Sequence, residues 1–170
     1  MLKVSRKNTE EVLNNFGKRV VGKAKSNAKK FSSSGKGERS IDYDLKVSPN
    51  SIEFTFEMED YMEFQDRGVS GVLKKYPSPF SYKDKAPPPN KLDKWIVKKG
   101  LGGRDSEGRF QSRKSIQFLI SRSIFFNGIK PKKFFTKPFE EAFKELPEDI
   151  VEAYGLDIDA FFESSFKNNL

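Results

Sequence analysis

Two alternating runs, IDYDLKVS and SIEFTFEMED, meet around Pro49 and Asn50, and no other feature limits the fold so closely. Ile41, Tyr43, Leu45 and Val47 fall on one face of the first run. In the second, Ile52, Phe54, Phe56 and Met58 alternate against Glu53, Thr55, Glu57 and Glu59. Side chains of a strand alternate between faces, so this pattern predicts an antiparallel hairpin over 41–59 with one apolar face. That face has to be covered by helices.

Helical spacing flanks it on both sides. Asn8 and Glu11 stand at capping-box distance, and Leu13, Phe16, Val20, Ala24 and Ala28 follow at helical intervals, predicting an amphipathic helix over 9–30. Its other face carries Lys18, Arg19, Lys23, Lys25, Lys29 and Lys30, for which solubility is a simpler reason than phosphate contact. FSSSGKGERS, 31–40, reads as a flexible connector. VLKKYPSPFSYKDKAPPPNK holds five of the nine prolines and reads as an extended arm without regular structure. LDKWIVKKGLGG predicts a short helix with Leu92, Trp95 and Ile96 on one side, ended by Gly100.

After the polar loop GRDSEGRF, residues 112–128 predict a second strong helix with the stripe Ile116, Leu119, Ile120 and Ile124 and with Gly128 just past its end. IKPKKFF leads into TKPFEEAFKEL, a helix capped by Thr136, with Pro138 in its first turn and Glu140 and Glu141 opposing the dipole. Two short acidic helical pieces, around 148–154 and 158–167, finish the chain. The order predicts an α+β fold: one domain over 1–146 with an insertion arm at 69–111, and an acidic helical extension over 147–170.

Composition narrows function by exclusion. The chain has 170 residues, 35% hydrophobic and 33% charged, with 17 phenylalanines, so a small core rich in rings is expected. With neither Cys nor His, it lacks disulfides, thiolate or imidazole metal ligands, a Cys nucleophile and an imidazole base. Catalysis would rest on carboxylates with Lys, Arg, Ser or Tyr; the expectation is no enzyme and no cofactor. The lack of Cys suits a reducing cytosol. With no apolar run of spanning length and no apolar stretch in MLKVSRKNTEE, the chain reads as soluble and unprocessed, with no membrane partner.

The formal charge is +8, arranged in blocks of alternating sign: +8 over 1–40, −4 over 41–82, +10 over 83–133 and −6 over 134–170. Such blocks are usually solvated faces, and they also suit a molecule that meets copies of itself or lines a nucleic-acid channel.

Three constellations bear on chemistry. Asp44 and Lys46, with Asp42 one pleat earlier, have the spacing of a metal-dependent nuclease, but a solvated strand face puts charge at those positions anyway. GLGGRDSEGRF lacks the strand-to-helix setting and the Lys-Ser/Thr pair of a phosphate loop; its arginines suit a neighbouring acidic patch or plain solvent. The +10 block contains Trp95, Phe110 and Phe118, as nucleic-acid grooves do, yet Trp95 is more simply a core anchor and no nucleic-acid module is recognisable.

Two further segments are distinctive. YMEFQDRGVSG, 61–71, combines Tyr61, Glu63, Phe64 and Asp66 with Gly68 and Gly71; NGIKPKKFFTKPFEEAF, 127–143, spaces Gly128, Pro131, Phe134 and Phe135 ahead of Pro138, Phe139, Ala142 and Phe143. Together, following a hairpin, they resemble the tail-completion and neck proteins of long-tailed bacteriophages, the group of minor tail Z-type and head–tail joining proteins. The Trp95 helix, the GRF loop at Gly108–Phe110 and the Ile-rich helix look closest to versions in phages of Bacteroidetes. The likeness touches about 9–146 and departs from the family in its larger proline-rich insertion and its acidic tail.

The resemblance implies a structural virion protein, made in the host bacterial cytoplasm, that forms a sixfold or twelvefold ring with itself between portal and tail. Its partners would be the portal, adaptor or other neck and tail-tube proteins. Subunit contacts would involve Tyr61, Glu63, Phe64, Asp66, Gly68, Gly71, Trp95, Arg104, Arg109, Phe110, Pro131, Phe134 and Phe135, with Glu63 and Asp66 meeting Arg104 or Arg109 of the next subunit. Packaged double-stranded DNA is a further candidate partner, through Lys25, Lys29, Lys30, Lys130, Lys132 and Lys133. An acidic channel, with the lysines docking neighbouring rings, is the alternative. A basic, non-specific nucleic-acid-binding phage protein is the second reading of function.

Overall fold

The computed structural model describes residues 6–32, 34–48, 51–104 and 107–167. Its elements in chain order are α1 (Lys7–Lys29), α2 (Lys36–Ser40), β1 (Asp42–Ser48), β2 (Ser51–Glu57), α3 (Asp60–Arg67), a 3-10 turn (Pro89–Leu92), α4 (Asp93–Lys98), α5 (Arg113–Asn127), α6 (Thr136–Phe143) and α7 (Leu146–Lys167). The fold is α+β. Among the described residues there are seven α-helices and one two-stranded antiparallel sheet, and none of those helices is long and apolar enough to cross a membrane.

Contacts divide the chain into two compact units, Met1–Glu59 with Phe134–Leu170, and Asp60–Lys133. The stretch 69–111 therefore lies within the second unit and 147–170 within the first.

In the first unit the alternation of the sequence becomes the register of the sheet. Tyr43 pairs with Phe56, Leu45 with Phe54 and Val47 with Ile52, so the apolar positions of both strands share one face. The turn at Pro49 and Asn50 lies outside the described residues. That face meets α1 and α6 over a core of Leu13, Phe16, Val20, Ala142 and Leu146, with Leu45, Phe54, Phe56, Phe135 and Phe139 packed against it. The Phe16 ring lies 5.6 Å from Phe54, 6.0 Å from Phe56 and 5.8 Å from Phe139 at inclined angles, the arrangement that ring quadrupoles favour.

One glycine is demanded here. A Cβ on Gly17, in the middle of α1, would stand 2.7 Å from the Tyr43 ring. The helix accepts glycine's propensity cost of ~1 kcal/mol so that the ring can lie flat on it. The Tyr43 hydroxyl then donates to Asn14 Oδ1 at 3.1 Å.

Several expected boundaries are corrected. The capping box at Asn8 and Glu11 is not what starts α1, which begins at Lys7 with Arg6 in the cap position and no side-chain cap bond. The first-turn N–H groups are met instead by Asp157 of α7. Thr136 is the first residue of α6 rather than its cap, and no acid lies in that helix's first turn. The two acidic pieces form one continuous helix, α7, because Leu146, Ala153 and Asp157 recur at helical spacing and are all buried where α7 runs along α1. The connector 31–40 contains the short α2.

In the second unit Ser112 accepts from the Ser115 N–H at 3.2 Å and caps α5, which ends at Gly128 with φ +72°. The expected stripe of α5 is corrected at Leu119, which is exposed, while Ile116, Ile120 and Ile124 are half-buried; Ser121 is the buried residue, donating to the Pro87 carbonyl at 2.6 Å. Packing against a proline-rich turn selects a small hydroxyl there over a branched apolar side chain. In α4 the core residue is Ile96, and Trp95, expected as an anchor, is 41% exposed.

Candidate assembly surface

The segment YMEFQDR lies in the helix α3. Met62 and Asp66 are buried on its inner side, while Tyr61, Glu63 and Phe64 face outward. Gly68, at φ +74°, ends the helix in the left-handed conformation open to glycine. The last-turn carbonyls of Gln65 and Asp66 accept from the N–H groups of Lys132 and Lys133, each at 3.0 Å.

Beyond Gly68 the chain crosses the 127–133 segment. The Val69 N–H donates to the Ile129 carbonyl at 2.9 Å, and the Val69 carbonyl accepts from the Ile129 N–H at 2.8 Å. Three glycines make this approach feasible. A Cβ on Gly68 would stand 2.6 Å from the Ile129 carbonyl and 2.7 Å from Pro131; one on Gly71 would meet the Phe126 carbonyl; one on Gly128 would meet the Val69 carbonyl. Residues 68–71 and 126–131 thus form one interlock of backbone against backbone.

A second crossing extends it. Ser70 donates to Phe80 O and accepts from Tyr82 N, each at 2.8 Å, and the Ser78 hydroxyl donates to the Gly68 carbonyl at 2.6 Å. Phe80 and Tyr82 are thereby brought beside α3, with the Phe64 and Phe80 rings 4.6 Å apart. An open cleft of about 680 Å³ results, lined by Tyr61, Phe64, Val69, Pro79, Phe80 and Tyr82, among others. Partial burial raises the pKa of the Tyr82 hydroxyl. Phe80 and Tyr82 were missed in the sequence, although their spacing of two in SPFSYK was a signal that the prolines obscured.

The expected contact residues separate clearly. Tyr61, Glu63, Phe64, Trp95, Arg104, Arg109 and Phe110 are exposed, and Phe110 is 79% so. Gly68 and Gly71 are interior, and Pro131 is half-buried against Gly68. Asp66 is corrected from a surface acid to a buried one. Phe134 is likewise interior, 5.4 Å from the Phe31 ring, and Phe135 packs 5.1 Å from Phe56.

The expected ion pairs across subunits meet local competition. Glu63 already holds Arg67 at 2.9 Å, one turn along α3. Arg109 pairs with Glu107 at 2.6 Å; Arg104 donates to the Gly108 carbonyl at 2.7 Å and lies 3.9 Å from the centre of the Phe110 ring. Loop 103–110, whose Asp105 and Ser106 lie outside the described residues, is braced by these contacts.

Of the lysines considered for DNA, Lys25, Lys29 and Lys30 belong to the first unit and Lys130, Lys132 and Lys133 to the second. Lys132 donates to Gln65 Oε1 at 2.7 Å, and partial burial, aided by the charge of Lys99, lowers its pKa. Asp44 holds Lys46 at 3.0 Å, which raises the pKa of that lysine. Among the described residues no three of His, Cys, Asp and Glu are grouped to hold a metal ion. Comparison with protein-family models, with curated proteins and with solved structures finds no match to this chain.

Proposed function

We propose that this chain is a non-enzymatic structural subunit of the neck of a long-tailed bacteriophage, a tail-completion or head–tail joining protein that assembles as a sixfold or twelvefold ring. The observation that carries this reading is the glycine interlock. The family likeness rests on 61–71 and 127–143; the first of these and the start of the second are bonded directly through Val69 and Ile129, and Gly68, Gly71 and Gly128 stand where any side chain would collide.

The surface supports an assembling protein. Tyr61 and Phe64 line the cleft, and Leu73, Phe110 and Phe118 are exposed elsewhere on the second unit. Exposed apolar groups on this scale suit partner surfaces. The neighbours would be other copies of the chain, the portal or adaptor, and tail-tube proteins, in the virion.

The test is mass-spectrometric quantification of the chain in purified virions relative to the portal subunit. A fixed simple ratio is expected; absence from clean particles would overturn the reading.

One observation favours a second reading, a basic nucleic-acid-binding phage protein. The second unit carries seventeen Lys and Arg against seven Asp and Glu, a net +10, while the first unit is close to neutral at −2. Affinity of the isolated chain for duplex DNA that falls steeply with salt would support it.

A further inference from the structure

We propose that α7 of one copy docks on α5 of a neighbouring copy, supplying the contact that joins subunits; the inference rests on the ring reading above and names the surfaces that form the ring.

The argument starts from the two sides of α7. Leu146, Ala153 and Asp157 are buried on the side facing α1. At about 100° per residue, Val151, Tyr154, Ile158 and Phe162 form a second apolar stripe roughly a third of a turn away. This stripe is largely in solvent, with Val151 74% exposed. Farther round stand the exposed acids Glu148, Glu152, Asp159 and Glu163. A stripe of this kind has no use in a helix that only closes its own core.

The outward side of α5 is its complement. Ser121 and Gln117 fasten the inner side to the Pro87 carbonyl and to Asp93. The opposite side presents Ser115, Phe118, Leu119 and Arg122, all exposed, with Lys114 beside them; Phe118 is 56% exposed. Within its bounds α5 has three cations and no acid, whereas α7 has six acids and one lysine. Apolar groups flanked by cations on one helix thus match apolar groups flanked by acids on the other.

A second copy is the occupant because both halves of the match lie in one sequence. Two different faces that fit each other produce a heterologous contact, which propagates from copy to copy and closes into a ring when the rotation permits. A contact of two helix faces is small, so a lone pair of subunits is expected to be weak. Closure lets every subunit use both faces at once and holds the ring together.

The lack of native cysteine makes disulfide trapping in the full-length chain a clean test. Ser115→Cys marks α5, and Gly155→Cys marks the exposed side of α7, where an added Cβ meets nothing within 4 Å. Mixing the two single-cysteine chains under mild oxidation is expected to give a heterodimer in large excess over like-with-like dimers. Arg122→Glu in the α5 chain should cut its yield about tenfold, and Glu152→Lys with Asp159→Lys in the α7 chain should restore it. Equal amounts of all three dimers, or none, overturn the proposal. So does protection of the Ser115→Cys thiol by duplex DNA without a heterodimer, which would make α5 a nucleic-acid face.

Failure of the contact and failure of the ring remain distinct. A heterodimer whose double-cysteine counterpart gives no closed ladder keeps the contact and removes the ring. A chain present in virions at a fixed ratio to the portal, but without the disulfide, keeps the ring and removes this contact.

Discussion

Asp157 closes the first turn of α1 through Thr9, a residue 148 positions earlier in the chain: its Oδ2 accepts from the Thr9 hydroxyl at 2.8 Å and from the Thr9 N–H at 3.0 Å. Oδ1 accepts from the backbone and side-chain nitrogens of Asn8 at 3.0 and 2.9 Å. The carboxylate is 1% exposed, and these four donors, with the positive end of the helix dipole, make its charge tolerable there.

Asp157→Ala should therefore cost about 2–3 kcal/mol, read as a lower urea midpoint, and Asp157→Asn somewhat less. Burial pushes this carboxyl up, but the bonds from Thr9 and Asn8 outweigh it and leave the pKa below its ordinary value. A depressed folded-state pKa stabilises the fold above the unfolded value of about 4 and loses that contribution as pH falls toward the folded value. Stability measured from pH 6 down to pH 2 should decline less steeply in Asp157→Asn than in the parent.

Gly17→Ala tests the seat of Tyr43. Alanine is the better helix former by ~1 kcal/mol, yet the added methyl collides with the ring, so a net loss of about 1–3 kcal/mol is expected. Combined with Tyr43→Ala the same change should become neutral or stabilising. Denaturation midpoints of the four chains in this double-mutant cycle decide it.

The glycine interlock gives a contrast within one unit. Gly128→Ala adds a methyl against the Val69 carbonyl at a positive φ, whereas Gly100→Ala has a positive φ and open space. Gly100→Ala should cost ~1 kcal/mol from backbone conformation alone, and Gly128→Ala substantially more. Limited proteolysis within 60–133 should accelerate much more for Gly128→Ala than for Gly100→Ala.

Phe110→Ser separates folding from assembly. The ring is almost fully in solvent and touches mainly Arg104, so the thermal midpoint should stay within a degree or two of the parent's. If the chain builds a ring, incorporation into particles should fall while the soluble chain stays folded.

Local chemistry governs the parts of the molecule that local chemistry can specify. Strict alternation gave the hairpin and its pairing register, because slipping by one residue would turn every ring of 52–58 to the wrong face. Helical periodicity located α1 and α5, and Gly128 marked the end of α5 by its backbone preference. The segments 61–71 and 127–143 are conspicuous in the sequence, and Tyr61, Phe64 and Phe110 are legible there as surface candidates.

What tertiary structure decided is which groups from distant positions meet. No periodicity announces that Asp157 will end the search for a cap at Asn8 and Thr9. Nor could the sequence distinguish buried Asp66 from exposed Glu63, or the Ser121 side of α5 from the Leu119 side. Those outcomes depend on which side of each helix finds a neighbour. The final carbonyls of α3 are met by the N–H groups of Lys132 and Lys133, far along the chain. Residue type alone determined which elements could form; the partners available to their orphan polar groups and second faces decided where they ended and what they bury.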